Sequence, residues 1–116
     1  MLVNTSDLTG PALDWAVATA QGYQSVYTNG SIRPIFRECE AVEITWPSYS
    51  TNWSQGGPLL DREEIDLQGP SHHKDALWTA RCGSWNMDGP TALIAACRCY
   101  VASKMGDTVE IPDELL

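Results

Sequence analysis

The segment GPTALIAACRCYVASKMG, residues 89–106, constrains the fold more than any other part of the chain. Gly89-Pro90 in front and Gly106 behind bracket a helix over about 90–105. Pro suits a first helical turn, where its missing N–H costs nothing, and Gly supplies the left-handed stop. Leu93, Cys97, Tyr100, Val101 and Lys104 fall on one stripe, which Ile94 and Met105 widen. Ala92, Ala95, Ala96, Ala102 and Ser103 carry short side chains, so this helix can approach a sheet or a second helix closely.

A second helix is predicted over about 9–21. Pro11 fits its first turn, Thr9 or Gly10 can cap it, and Gly22 can stop it. Leu13, Ala16, Val17 and Ala20 recur at i, i+3, i+4 and i+7, with Trp15 at the edge of that face and Leu8 and Ala12 extending it. Between the helices the pattern changes to a period of two. Asn29-Gly30 is a strong hairpin signal, and Pro34 confines the second arm to a short or edge strand. Residues 42–46 alternate, with Val42, Ile44 and Trp46 on one side; Ile65 and Leu67 alternate with Glu64 and Asp66; Trp78, Ala80 and Cys82 share a face. GSWNMDGP reads as turn, and TVEIP, residues 108–112, as a short last strand. The expectation is α+β: a mostly antiparallel sheet of about four short strands packed by two helices, in one domain over 1–116. At 116 residues the chain can bury roughly two thirds of its unfolded surface, enough for one modest core.

Charge narrows the partners. Seven basic against fifteen acidic side chains give a net charge of −8. Generic binding to a nucleic-acid polymer depends on Lys and Arg releasing counterions, so it is disfavoured. MLVNTSDLTG has neither the basic start nor the apolar run of a secretory leader, and no stretch is apolar enough to span a bilayer. The expectation is a cytoplasmic protein without membrane contact, whose four cysteines (39, 82, 97 and 99) are free thiols.

Three blocks, TSDLTGPALDWAVA, YSTNWSQGGPLLDRE and GPTALIAACRCYVASKMGDTVEIPDEL, together resemble the NinX-type family of small bacteriophage and prophage proteins. The resemblance covers the two ends and the middle of the chain and leaves residues 23–45 unmatched. It implies a phage accessory protein of the bacterial host's cytoplasm, with no established activity or cofactor to carry over. Asn52 stands where the family commonly has Asp, which removes a carboxylate from that position.

YSTNWSQGGPLLDREEI, residues 49–65, is the segment that most invites a functional reading. Gly56-Gly57 allows close approach of backbone or ligand, and Pro58 fixes the exit. Tyr49 and Trp53 can wall a pocket in which Gln55 is a polar anchor; alternatively Trp53 plugs the core, and Gln55-Gly56-Gly57-Pro58 is a turn leading into a strand. The glycine spacing is not that of a phosphate loop. Arg62, Arg81 and Arg98, with Lys104, can form a small cationic site for a phosphate-bearing ligand or pair with the abundant acids, and Trp78 is a second stacking candidate. His72-His73 lacks partners at zinc spacing. Cys97 and Cys99 point about 200° apart on a helix and cannot share a metal or a disulfide. No metal site, cofactor fingerprint or catalytic constellation emerges, which points away from an enzyme. Two partner classes remain: a small molecule such as a host signalling nucleotide, held through Tyr49, Trp53, Gln55, Gly56, Gly57, Arg62, Trp78, Arg81 and Arg98; or a host or phage protein, met by an aromatic patch including Trp85 and Tyr49. The small-residue helix also offers a face for self-association.

Overall fold

The computed structural model describes residues 1–21, 24–28, 31–35, 49–70 and 77–111, with residues 24–28 and 31–35 described by backbone alone. The Asn29-Gly30 turn, the alternating residues 42–46, Cys39 and His72-His73 lie outside the described residues.

The fold is α+β. Strand β1 (Leu2–Asn4) leads through a 3-10 turn at Thr5–Asp7 into helix α1 (Gly10–Ala20). A hairpin, β2 (Gln24–Thr28) and β3 (Ser31–Ile35), lies against α1. Helix α2 (Trp53–Arg62) follows, then β4 (Asp66–Gln68), β5 (Trp78–Cys82) and β6 (Trp85–Gly89). Helix α3 (Ala92–Met105) and β7 (Thr108–Glu110) complete the described chain. The strands form three antiparallel sheets: β1-β7, β2-β3 and β4-β5-β6. Thr28 pairs with Ser31, the register that a two-residue Asn-Gly connection requires.

The alanine-rich α3 is central. One side lies on β5 and β6, and the same helix meets α1, α2 and the 3-10 turn. Ala95, Ala96, Cys97, Cys99, Val101 and Ala102 are all buried, so the small side chains do bring backbones together. At its start β6 comes closest. A methyl on Gly89 would stand 2.6 Å from the Ala95 nitrogen, so only glycine fits there. Thr91 caps the helix by accepting from the Ile94 N–H at 3.2 Å, and Gly106 ends it at φ 91°. On α1, Leu13, Ala16 and Val17 are fully buried, joined by Leu8 and Ala12 as the wide stripe predicts. Leu8, Leu13, Val17, Leu59, Ala80, Val101, Val109 and Ile111 belong to one connected core cluster. Each large aliphatic among them contributes about 1.5–3 kcal/mol.

Three elements depart from expectation, the first being strand β1, and the described strands divide into three sheets where one was expected. Gly83-Ser84 is a hairpin turn, with Gly83 at φ 61°, and Trp85–Gly89 is a strand rather than turn. Its alternation is real: Trp85 and Met87 pack on the core, while Asn86 and Asp88 face out. The larger difference is α2. Residues 53–62 are helical, where the glycines and Pro58 suggested a turn running into a strand; only Asp66–Gln68 of that stretch is extended.

Local chemistry explains α2. The Asn52 side chain caps it, accepting from the Ser54 N–H at 2.9 Å. At the other end the Ile65 N–H reaches the Leu60 carbonyl and the Glu64 N–H reaches that of Asp61, a Schellman closure in which Glu64 takes the left-handed position at φ 52°. Leu59 and Gly56 are buried beneath the helix. Capping at both ends and one buried face offset the helix-breaking composition between them.

Candidate functional site

Trp53 opens α2 and is 57% exposed, while Leu59, one and two-thirds turns further on, is buried. Its ring borders an open hollow of about 270 Å³, lined among the described residues by Ser50, Thr51, Trp53, Thr91, Ala92, Leu93 and Ile94. The first turn of α3 thus forms the wall opposite the first turn of α2. Helix N-termini present N–H groups and the positive end of the peptide dipole. Ser50, Thr51 and Thr91 are the polar residues of its lining, beside Trp53, Ala92, Leu93 and Ile94. Trp53 lies beside this hollow and does not fill the core.

The two glycines divide the work. Gly56 is buried where a methyl would collide with the Tyr49 carbonyl oxygen and stand 2.8 Å from Leu93 Cδ2, so it lets α2 sit down on its neighbours. Gly57 faces the Trp53 ring, and a methyl there would stand at 3.7 Å, an ordinary contact. Gln55 lies in the first turn of α2, and its N–H bonds to the Asn52 carbonyl. Tyr49 is half-buried and packed on the core.

Among the described residues, Arg62, Arg81 and Arg98 do not line this hollow. Arg62 bonds through Nε to Glu63 at 3.2 Å and through its terminal nitrogen to Gln21 at 3.3 Å. Glu63 also pairs with Lys104 at 3.4 Å, and Lys104 lies 5.8 Å from the centre of the Tyr100 ring. Burial raises the Tyr100 hydroxyl pKa and Glu63 adds to the shift, against the pull of Arg62 and Lys104. Arg81 stands on the outer face of the three-stranded sheet, its Nε 3.2 Å from Asn86, beside a separate polar hollow bounded by Asp66, Gln68 and Thr79. Arg98 donates to the main-chain carbonyls of Leu8 and Asp88, both at 2.8 Å. Burial lowers its pKa, and Asp7 and Asp88 oppose the shift. This guanidinium ties the start of α1 and the end of β6 to α3. Trp78 and Trp85 are half-buried and packed on the core from the sheet side.

Two residues of the site were not legible as such. Asp14 on α1 is only 6% exposed, and its Oδ1 accepts from both the N–H and the hydroxyl of Ser50, at 2.8 and 2.7 Å. Burial pushes this carboxyl above its ordinary range, against the pull of the two Ser50 bonds. The available signal was a lone carboxylate inside the apolar run ALDWAVA. Cys97 and Cys99 are buried free thiols; burial, with Asp14 acting on the first and Cys82 on the second, pushes each up to about 12. Neither is poised as a nucleophile. Among the described residues, no helix is long and apolar enough to cross a membrane.

Residues 4–104 match the family model described as Bacteriophage P22, NinX. No curated protein matches the chain.

Proposed function

Since the chain belongs to the bacteriophage P22 NinX family, we propose that it is a non-enzymatic phage accessory protein that binds a small molecule combining a planar ring with an anionic group, a host signalling nucleotide being one such compound. The observation that carries this reading is the exposed Trp53 indole at the edge of a hollow walled by the first turns of two helices. The ring of the ligand stacks on Trp53, and its phosphate meets the helix starts, where the Ala92 and Leu93 N–H groups and the Thr91 and Thr51 hydroxyls are the donors. Arg98 is committed to main-chain carbonyls, so in this reading the phosphate contact moves from the arginines to the helix dipoles.

The test is a titration of purified protein against a panel of nucleotides, followed by tryptophan fluorescence and melting temperature. Binding quenches fluorescence, and Trp53→Ala weakens it roughly five- to 150-fold, the range of one base–aromatic stack. A panel that moves neither signal rejects the nucleotide. An exposed tryptophan is also a common anchor for a protein partner. Stoichiometric recovery of a host or phage protein by the wild type, lost in Trp53→Ala, would replace the ligand reading with an adaptor.

A further inference from the structure

The turn that carries the Trp53 cap is anchored from outside its own element. Ser50 is 2% exposed, and both of its donors converge on one oxygen of Asp14, 36 residues earlier in the chain. Two residues further on, Asn52 caps α2, and Trp53 follows it directly. Ser50 also lines the hollow. A covalent path of three residues therefore runs from Ser50, hydrogen-bonded to α1, to the exposed indole. Burying a carboxylate is costly, and a serine facing an apolar helix would not require one. The fold carries the cost where the hydrogen bonds fix a loop, and fixing a loop residue otherwise forfeits about 1–2 kcal/mol of backbone freedom.

We propose that Asp14 is the positioning residue of this site: its Oδ1 holds Ser50, and Ser50 holds the turn that aims Trp53 over the hollow. The word site rests on the ligand reading above, whereas the positioning is a property of the protein alone. The experiment is therefore done without ligand. In ¹⁵N-labelled full-length protein, the Trp53 indole N–H resonance is assigned by its loss in Trp53→Phe. Asp14→Ala is expected to shift or broaden that resonance and to speed hydrogen exchange across Ser54–Leu60 on the order of tenfold, leaving the β5–β6 hairpin at its wild-type rate. Asp14→Asn keeps an acceptor at the same place and restores both signals. Ser50→Ala removes only the hydroxyl bond and gives a smaller effect, on the order of threefold, in a variant that stays folded.

An unmoved Trp53 resonance in Asp14→Ala overturns the proposal. If that variant does not fold, an unmoved resonance in Ser50→Ala does so. Equal acceleration of exchange in α2 and in the β5–β6 hairpin also overturns it, because it marks general destabilisation. A displaced indole in a protein that binds nothing in the nucleotide panel refutes the ligand reading and leaves the positioning role standing.

Discussion

Adjacent glycines on one helix should respond in opposite senses to the same added methyl. Gly56 lies under α2, and its new Cβ would overlap the Tyr49 carbonyl and crowd Leu93 Cδ2 at 2.8 Å. The leucine methyl can turn aside. The carbonyl cannot move cheaply, because the next residue, Ser50, is bonded twice to Asp14. Alanine at 56 then forces α2 to lift, at about 3 kcal/mol, the upper end for overpacking, less about 1 kcal/mol from its better helix propensity. The net is about 2 kcal/mol of destabilisation. At Gly57 the methyl meets only the Trp53 ring at 3.7 Å, so Gly57→Ala keeps the helix gain of about 1 kcal/mol. At about 4 °C per kcal/mol for a domain of this size, Gly56→Ala melts about 8 °C below the wild type and Gly57→Ala about 4 °C above it. Far-UV circular dichroism melts, checked by urea titration, read both. A Gly56→Ala protein as stable as the wild type, or two variants shifted in the same direction, would refute the packing argument for α2.

Other outcomes follow from the same contacts. Arg98→Ala should cost about 2 kcal/mol in urea unfolding, and Arg98→Lys should recover at most about half, since one ammonium cannot reproduce the fork that spans the Leu8 and Asp88 carbonyls. Because the folded Asp14 pKa is raised, its favourable contribution is complete below the ordinary carboxylate range and is lost as pH rises through the raised value. The stability of the wild type relative to Asp14→Asn should therefore increase on acidification, by at most about 1.4 kcal/mol per pH unit, in parallel urea titrations. Glu64→Gly should stabilise by about 1 kcal/mol in thermal melts by relieving the left-handed residue that closes α2. Native protein treated with iodoacetamide at pH 8 should show unmodified Cys97 and Cys99 in peptide mapping, and labelling comparable to that of the unfolded chain would contradict their burial.

What could be read from residues alone divides by the range of the forces involved. Helices α1 and α3 announce themselves because their signals are local: apolar spacing, Pro11 in the first turn of α1, and Gly106 at the close of α3, whose Pro90 lies ahead of the Thr91 cap and outside the helix. The inward face of β5 was equally plain in Trp78, Ala80 and Cys82. Helix α2 was hidden because Gly56, Gly57 and Pro58 are poor helix formers, and what holds them helical is the Asn52 cap, the closure at Glu64 and the buried Leu59. The exposed tryptophan beside the glycines was anticipated as one of two readings. The role of Arg98 was not, because its acceptors are main-chain atoms 90 and 10 residues away. Nor was that of Asp14, whose partner enters from a distant turn.

The β1-β7 ribbon joins Leu2 to Glu110 and Asn4 to Thr108, while the Met1 amino group reaches Glu110 and the Ile111 carbonyl. During synthesis β1 must therefore wait for β7, far downstream, before this pairing can form. Thr5, which bonds to Gly106 and Asp107, waits with it. Such sequence-distant closure slows folding and delays its completion until β7 has emerged. Nascent chains stalled before residue 108 should accordingly remain open to protease around Leu2–Asn4, even where α1 has already coiled.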